Sequence, residues 1–305
     1  IYDPVRDRMV VFGGYNISSG RFNDVWALSL AGTPAWTQLM PTGTPPSARN
    51  RHSAIYDPVR DRMVVFGGSG GSYLNEVWAL SLADPPAWTK LTPTGMLPGA
   101  RCNHSAIYDP VRDRMVVFGG NTTVYFDEVW ALSLADPPAW TQLTPTGTSP
   151  SARSTHSAIY DPVRDRMVVF GGRPTSGYLN DVWALSLAGT PDWAQLGPTG
   201  TLPSARVYHS AIYDPVRDDM VVFGGYADSY LNDVWMLTWG SPSLAVVTCP
   251  GDIVRAPGGS TPASYSITNH YGFAQTADYK LTSVRDWPGF PVLGSVVVDA
   301  NATVA

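Results

Sequence analysis

Apolar residues in this chain come in short continuous blocks rather than in a helical stripe. Met63-Val64-Val65-Phe66 is apolar at every position and is closed by Gly67-Gly68. A short apolar run between turn signals predicts a strand covered on both faces. Upstream, His52–Tyr56 predicts a strand rich in β-branched and aromatic residues, and Asp57-Pro58 predicts the turn that follows. Asp can cap its own backbone there, and Pro presets φ for the first turn position. Downstream, Val77-Trp78-Ala79-Leu80-Ser81-Leu82 places Trp78, Leu80 and Leu82 on one face of a third strand. Pro85-Pro86 interrupts the chain, and Ala87–Leu91 predicts a fourth strand. The unit is therefore four short antiparallel strands, too small to bury its own faces. It must stack on neighbours.

The neighbours are copies of itself. The fourteen residues from Ile55 to Gly68 recur at Ile1, Ile107 and Ile159, and again at Ile212 with Asp219 in place of Arg. The intervals are 54, 52, 52 and 53 residues. Between Gly-Gly and the acidic residue of the third strand lie Tyr15–Asn23, Ser69–Asn75, Asn121–Asp127 and Arg173–Asn180: nine, seven, seven and eight residues. That one loop reproduces every difference in interval. A stacked array with one variable surface loop has this signature.

Composition narrows the function classes. The chain has 305 residues, room for two domains, and a net charge of −5, against the basic footprint of a nucleic-acid binder. No apolar run approaches the ~18 residues of a membrane span. Cys102 and Cys249 have no metal or redox spacing, so a disulfide between them is allowed but not demanded. The chain opens at Ile1 inside a repeat, which raises the expectation of a piece of a longer protein.

The repeat resembles the kelch motif. It has an apolar strand, Gly-Gly, a Tyr (Tyr73, Tyr125, Tyr178, Tyr230, with Arg21 the exception), Val-Trp, a later Trp (Trp36, Trp88, Trp140, Trp193) and a Pro-x-x-Arg connector. The resemblance implies an all-β fold: a β-propeller over residues 1–240, one four-stranded blade per repeat, with five recognisable blades complete or part of a larger ring. The first blade lacks most of its opening strand, and the fifth lacks a Trp-bearing fourth strand after Trp239. Upstream repeats, a strand from Ser243–Thr248 or a neighbouring molecule would cover the open end. Beyond Gly240 the repeat stops, and residues 241–305 resemble the immunoglobulin-like β-sandwich modules appended to bacterial secreted proteins. That resemblance implies an extracellular or cell-surface setting.

Alternating strand direction puts the second-to-third loops and the pre-histidine connectors on one rim, where kelch propellers hold ligands. Carried over by position, the candidate binding residues are Tyr15, Asn16, Asn50, Arg51, Ser69, Cys102, Asn103, Asn121, Ser154, Thr155, Arg173, Val207, Tyr208 and Tyr226. Arg51 and Arg173 suit anionic groups, and Tyr15, Tyr208 and Tyr226 supply contact area. His52, His104, His156 and His209 occupy one repeat position, so they read as a structural hydrogen bond repeated per blade rather than a metal site. Arg49, Arg101, Arg153 and Arg206 read as buried partners for carbonyls or for Asp24, Glu76, Glu128, Asp181 and Asp233. The charges from Asp57 to Arg62 and their copies read as turn chemistry and solvated ion pairs.

No nucleophile elbow, phosphate-cradling loop or metalloprotease motif stands out, and Cys102 with the repeat histidines does not rebuild the copper-radical oxidase site found on some kelch folds. Near-identical blades also offer few unlike residues to converge on one reacting atom. The expectation is a non-catalytic binding module without cofactor or metal, taking a protein or glycan on its variable rim. The alternatives are a structural subunit of a bacterial surface assembly or filament, joined through its chain ends, and a carbohydrate-active or copper-radical oxidase-like enzyme.

Overall fold

The computed structural model describes residues 1–239; the β-sandwich-like module expected over 241–305 lies outside the described residues. Every regular element described is a β-strand. Blade 2 pairs Ser53–Asp57, Arg62–Phe66, Val77–Ser81 and Ala87–Leu91 in sequence order, all antiparallel, with Ile55 opposite Val64, Val64 opposite Ala79 and Ala79 opposite Thr89. Blades 3 and 4 repeat this register from Ser105 to Leu143 and from Ser157 to Leu196. Blade 1 keeps only Tyr2–Asp3 of its first strand before Arg8–Asn16, Gly20–Ser29 and Trp36–Leu39. Blade 5 has three strands among the described residues, Ser210–Asp214, Asp219–Tyr226 and Tyr230–Thr238. The fold is a five-bladed β-propeller.

The apolar blocks of blades 2 to 4 are covered from both sides because each of these sheets lies between two others. One face of blade 2 (Ile55, Val64, Phe66, Val77) packs on Met115, Val117, Trp130, Leu132 and Trp140 of blade 3. Its other face (Met63, Val65, Trp78, Leu80, Leu82, Trp88) packs on Val10, Phe12 and Val25 of blade 1. Blades 3 and 4 meet in the same way. The later Trp of each blade stacks at a tilt on the Phe of the one before, with ring centroids 4.9 Å apart for Phe12–Trp88 and Phe66–Trp140 and 5.0 Å for Phe118–Trp193. Such pairs add about 0.5–1.5 kcal/mol beyond the area they bury.

The connectors do more than their Pro/Gly content predicts. Thr94–Gly95, leaving blade 2, pairs parallel with Ala139 and Trp140 of blade 3, and Thr146–Gly147 does the same with Asp192 and Trp193 of blade 4. Thr42 bridges Ala87 likewise. The fourth strands of blades 2, 3 and 4 are thus held on one edge by their own blade and on the other by the preceding connector.

Polar contacts lock the same interfaces. The largest fully buried side chains are four arginines, Arg49, Arg101, Arg153 and Arg206. The Arg101 backbone bonds to blade 2, donating to Leu74 O (3.0 Å) and accepting from Gly68 N–H (2.9 Å). Its guanidinium enters blade 3, donating to Gly119 O (3.1 Å) and Glu128 (2.7 Å). Asp24, like Glu76, Glu128, Asp181 and Asp233, accepts from the indole two residues on, here Trp26 at 2.8 Å.

The Asp57–Arg62 turn corrects the expectation of solvated pairs. Asp57 is fully buried, capping the Val59 and Arg60 amides and accepting from the Arg62 guanidinium at 2.8 Å. Arg60 reaches on to Asp113 of blade 3 (2.8 Å), as Arg6 does to Asp61 (2.6 Å), Arg112 to Asp165 (2.6 Å) and Arg164 to Asp218 (2.7 Å). Turn charges therefore run from blade to blade along this rim.

Position in the array, not residue type, decides burial. Phe118 in blade 3 is 0% exposed, while its repeat equivalent Phe223 in blade 5 is 53% exposed. Phe118→Ala is expected to destabilise by about 3–5 kcal/mol, the usual range for deleting a core phenylalanine, and Phe223→Ala by less than about 1 kcal/mol. Urea denaturation midpoints of the two variants check this; equal losses would contradict the stacking.

Candidate binding rim

The rim is built from two backbone devices repeated at each blade. Gly67-Gly68 and their copies end the second strand with positive φ, +66° and +96° in blade 2. A Cβ on Gly68 would lie 2.8 Å from the Asn50 carbonyl oxygen, so only glycine admits the approaching connector. The residue after Gly-Gly then pairs with the first member of the pre-histidine pair: Asn50 with Ser69, Cys102 with Asn121, Ser154 with Arg173, Val207 with Tyr226. The two loop types that vary among repeats therefore lie side by side.

The second member of each pair is left-handed although none is glycine: Arg51 (φ 59°), Asn103 (55°), Thr155 (56°) and Tyr208 (57°). These four join blade to blade, Asn103 N–H donating to Arg51 O (2.9 Å), Thr155 N–H to Asn103 O (2.9 Å) and Tyr208 N–H to Thr155 O (3.2 Å). Left-handed backbone at a β-branched or aromatic residue is strained. Here the inter-blade hydrogen bonds hold it, and the four side chains follow one another along an arc.

Burial divides the sequence-derived candidates. Cys102, Ser154 and Val207 are buried and support the rim rather than touch a macromolecule. Arg51, Arg173, Tyr15, Asn16 and Tyr208 are exposed, with Asn50, Ser69, Asn103, Asn121, Thr155 and Tyr226 half-buried. Asn103 donates to Asn121 Oδ1 (2.9 Å), and Asn16 Oδ1 caps Ser18 (2.8 Å), so those amides shape loops. Burial pushes the Cys102 thiol up, opposed by the neighbouring Arg51; a buried thiol of raised pKa is a poor nucleophile.

Two groups join the rim that motif reading passed over. Arg21, standing where other repeats have Tyr, reaches Asn50 Oδ1 and Ser69 Oγ (both 3.4 Å) and lies over the Tyr15 ring. Tyr178, Tyr226 and Tyr230 form an edge-to-face series with centroids 6.1 and 5.3 Å apart. Tyr178 and Tyr230 are motif tyrosines, and identity to the repeat hid their clustering with a variable-loop residue. The rim thus combines three arginines with a cluster of tyrosines.

Beneath it, His104, His156 and His209 each reach back one blade. Ser53, Ser105 and Ser157 hydroxyls meet Nε2 of His104, His156 and His209, each at 2.8 Å. Among the described residues no three His, Cys, Asp or Glu side chains converge as a metal site would require, nor is any helix long and apolar enough to cross a membrane.

The model of the KLHDC2/KLHL20/DRC7 Kelch-repeats domain matches residues 1–159 and 136–284. The chain belongs to the Kelch-repeat family. Among curated Kelch-bearing relatives, Adagio protein 3 of Arabidopsis thaliana is 34% identical over 237 residues, covering 72% of this chain and 37% of that protein. Host cell factor homolog hcf-1 of Caenorhabditis elegans is 29% identical over 247 residues, covering 73% and 30%. The chain therefore spans about a third of these relatives. The solved structure titled "Structure of YjhT" superposes with a TM-score of 0.61 at 15% identity, covering 79% of this chain and 80% of that one, a likeness of fold.

The buried histidines of this Kelch array give it a pH limit. Burial first, and then the neighbouring arginine, push His52 and His209 down to about 4 and His104 to about 3, with His156 also well below its ordinary value. An unfolded chain binds these protons from about pH 6.5 downward, whereas the folded chain does not. The histidines' contribution to stability is therefore expected to be flat above pH 6.5 and to fall as pH drops from 6.5 toward 4. The slope is roughly 1.4 kcal/mol per pH unit for each histidine. Urea midpoints between pH 8 and 4 check this, and His104→Gln should flatten the curve.

Proposed function

We propose that this Kelch propeller is a non-catalytic protein-interaction module that grips its partner on the variable rim. The observation that carries the reading is the pairing of the two variable loop types on one strained backbone arc, with Arg21, Arg51 and Arg173 beside Tyr15, Tyr208 and Tyr230. Kinship with host cell factor and Adagio proteins favours a protein partner over a substrate. Exposed guanidinium groups among tyrosines suit an acidic segment, since arginine forks onto carboxylates and tyrosine gives contact area with little side-chain entropy to lose. A glycan stacked on the same tyrosines is the finer variant of this reading. An extracellular or cell-surface setting belongs to the proposal and rests on the resemblance of residues 241–305 to appended bacterial modules.

The experiment is partner capture on a peptide and glycan array by the 305-residue chain and by an Arg51→Ala/Tyr208→Ala double variant. Signals carried by the rim should drop at least tenfold in the variant while its circular dichroism and urea midpoint change little. Capture retained at full strength would defeat the proposal.

A second reading, end-to-end association of copies, is favoured by the end blades. Blade 5 exposes Ile212, Phe223, Val234 and Met236, and blade 1 exposes Tyr2, Val11 and Trp36. These are the two halves of the interface repeated inside the chain. Arg217 pairs within its own turn, with Asp214, where Arg60 and its counterparts reach the next blade. Light scattering decides it: ordered multimers dispersed by Phe223→Asp support association, and a monomer at all concentrations removes it.

A further inference from the structure

Two series of non-glycine residues hold a left-handed backbone among the described residues. One is the aspartates of the strand-one-to-two turns, with φ 45° at Asp61, Asp113 and Asp165. Asp enters that region more readily than most residues. Its carboxylate also has one task in every blade, accepting from the Tyr56, Tyr108 and Tyr160 hydroxyls at 3.1, 3.1 and 3.0 Å.

The other series is the rim arc of Arg51, Asn103, Thr155 and Tyr208, where neither a residue type nor a side-chain partner recurs. The Asn103 amide donates to Asn121 Oδ1 (2.9 Å), the Thr155 hydroxyl to the Ser154 carbonyl (2.6 Å), and Tyr208 stands 65% exposed. Only the main-chain bonds are common to the four. Glycine would make those bonds without the steric cost a Cβ carries at positive φ. This chain does place glycine where a Cβ cannot fit, as at Gly120, where one would lie 2.8 Å from the Cys102 carbonyl oxygen. A β-branched threonine and an aromatic tyrosine are poorly suited to the left-handed region. Their side chains are retained against a conformational cost, which marks the side chain rather than the backbone as the part in use.

The loops paired with the arc extend its chemistry. Asn50, next to Arg51, receives the Arg21 guanidinium at 3.4 Å, so two cations share one end. The second position holds the Asn103–Asn121 amide pair, and Arg173, paired with Ser154, stands beside Thr155 at the third. At the other end Val207, next to Tyr208, pairs with Tyr226, whose ring meets Tyr178 edge to face at 6.1 Å. The first position is cationic and the last aromatic. Residues joined by a main-chain bond sit about 5 Å apart, so three steps cover roughly 15 Å. An extended segment of about five residues has that reach.

Resting on the rim reading above, we propose that the arc sets the partner's sequence: an acidic residue seats on Arg51 and Arg21, and a large apolar or aromatic one about four positions away seats on Tyr208 and Tyr226. Asn103 and Thr155 lie under the residues between. The arginine fork fixes the carboxylate, and the tyrosines give contact area with little entropy to lose. The spacing is the same whichever way the segment runs.

The probe is a library of acetylated, amidated peptides of about seven randomised residues, long enough to span the arc, selected for capture by the 305-residue chain. Blocked ends leave side chains as the only carboxylates. Captured sequences are expected to pair an acidic residue with a large apolar one about four positions away. Arg51→Gly should reduce the acidic preference about tenfold and keep the apolar one, and Tyr208→Gly should do the reverse. Thr155→Gly should lower capture of the selected peptides. All three variants should hold a urea midpoint at or above the parent's, because glycine relieves the left-handed backbone. Loss of both preferences together, or of neither, in the single variants overturns the inference, as does unchanged capture by Thr155→Gly. A fall in the urea midpoints also overturns it, by making the side chains structural. A motif that survives in Arg51→Ala/Tyr208→Ala sinks the rim reading itself, and a selection that yields no motif defeats both.

Discussion

One buried arginine per connector holds the array together. Arg49, Arg101, Arg153 and Arg206 each bond by backbone to the blade behind and by guanidinium to the glycine carbonyl and carboxylate of the blade ahead. Burying a guanidinium is costly unless its donors are satisfied, and removing its partners leaves an uncompensated charge. The contact therefore tolerates little drift in the angle between neighbouring blades. It fixes where the next Gly-Gly lies and hence where the next rim loop emerges.

Apolar stacking supplies most of the stabilisation, and polar contacts set its geometry. The Phe–Trp pairs, the Ser–His bonds and the Arg–Asp turn pairs all cross the inter-blade boundaries. A repeat array behaves as a sum of units and nearest-neighbour interfaces. Interior blades are thus over-determined, while the outward faces of blades 1 and 5 keep interface chemistry without a described neighbour. That asymmetry is the source of the exposed apolar faces.

The rim shows how a repetitive scaffold carries a non-repetitive surface. Main-chain bonds among Arg51, Asn103, Thr155 and Tyr208 are the same at every step, so the side chains can differ without disturbing the arc. Arginine and tyrosine accumulate where the scaffold is indifferent to residue type. Binding residues are placed on loops positioned by a rigid frame.

The sequence by itself determined the strands, the stacking and the rim. The Met-Val-Val-Phe blocks call for burial on both faces, which blades 2 to 4 give them, and the loop of variable length had to face away from the stacked sheets. It also identified the connector arginines, because a single arginine at one repeat position implies one repeated partner. Tertiary structure alone decided which charges are buried. Asp57 looks like a surface turn residue until Arg60 is seen to span to Asp113, a contact 53 residues away. It alone separated Cys102, Ser154 and Val207 below the rim from Arg51 and Tyr208 on it, because adjacent residues at a left-handed turn point to different environments. And it alone gave Phe118 and Phe223 opposite fates: identical local sequences cannot encode which copy has a neighbour.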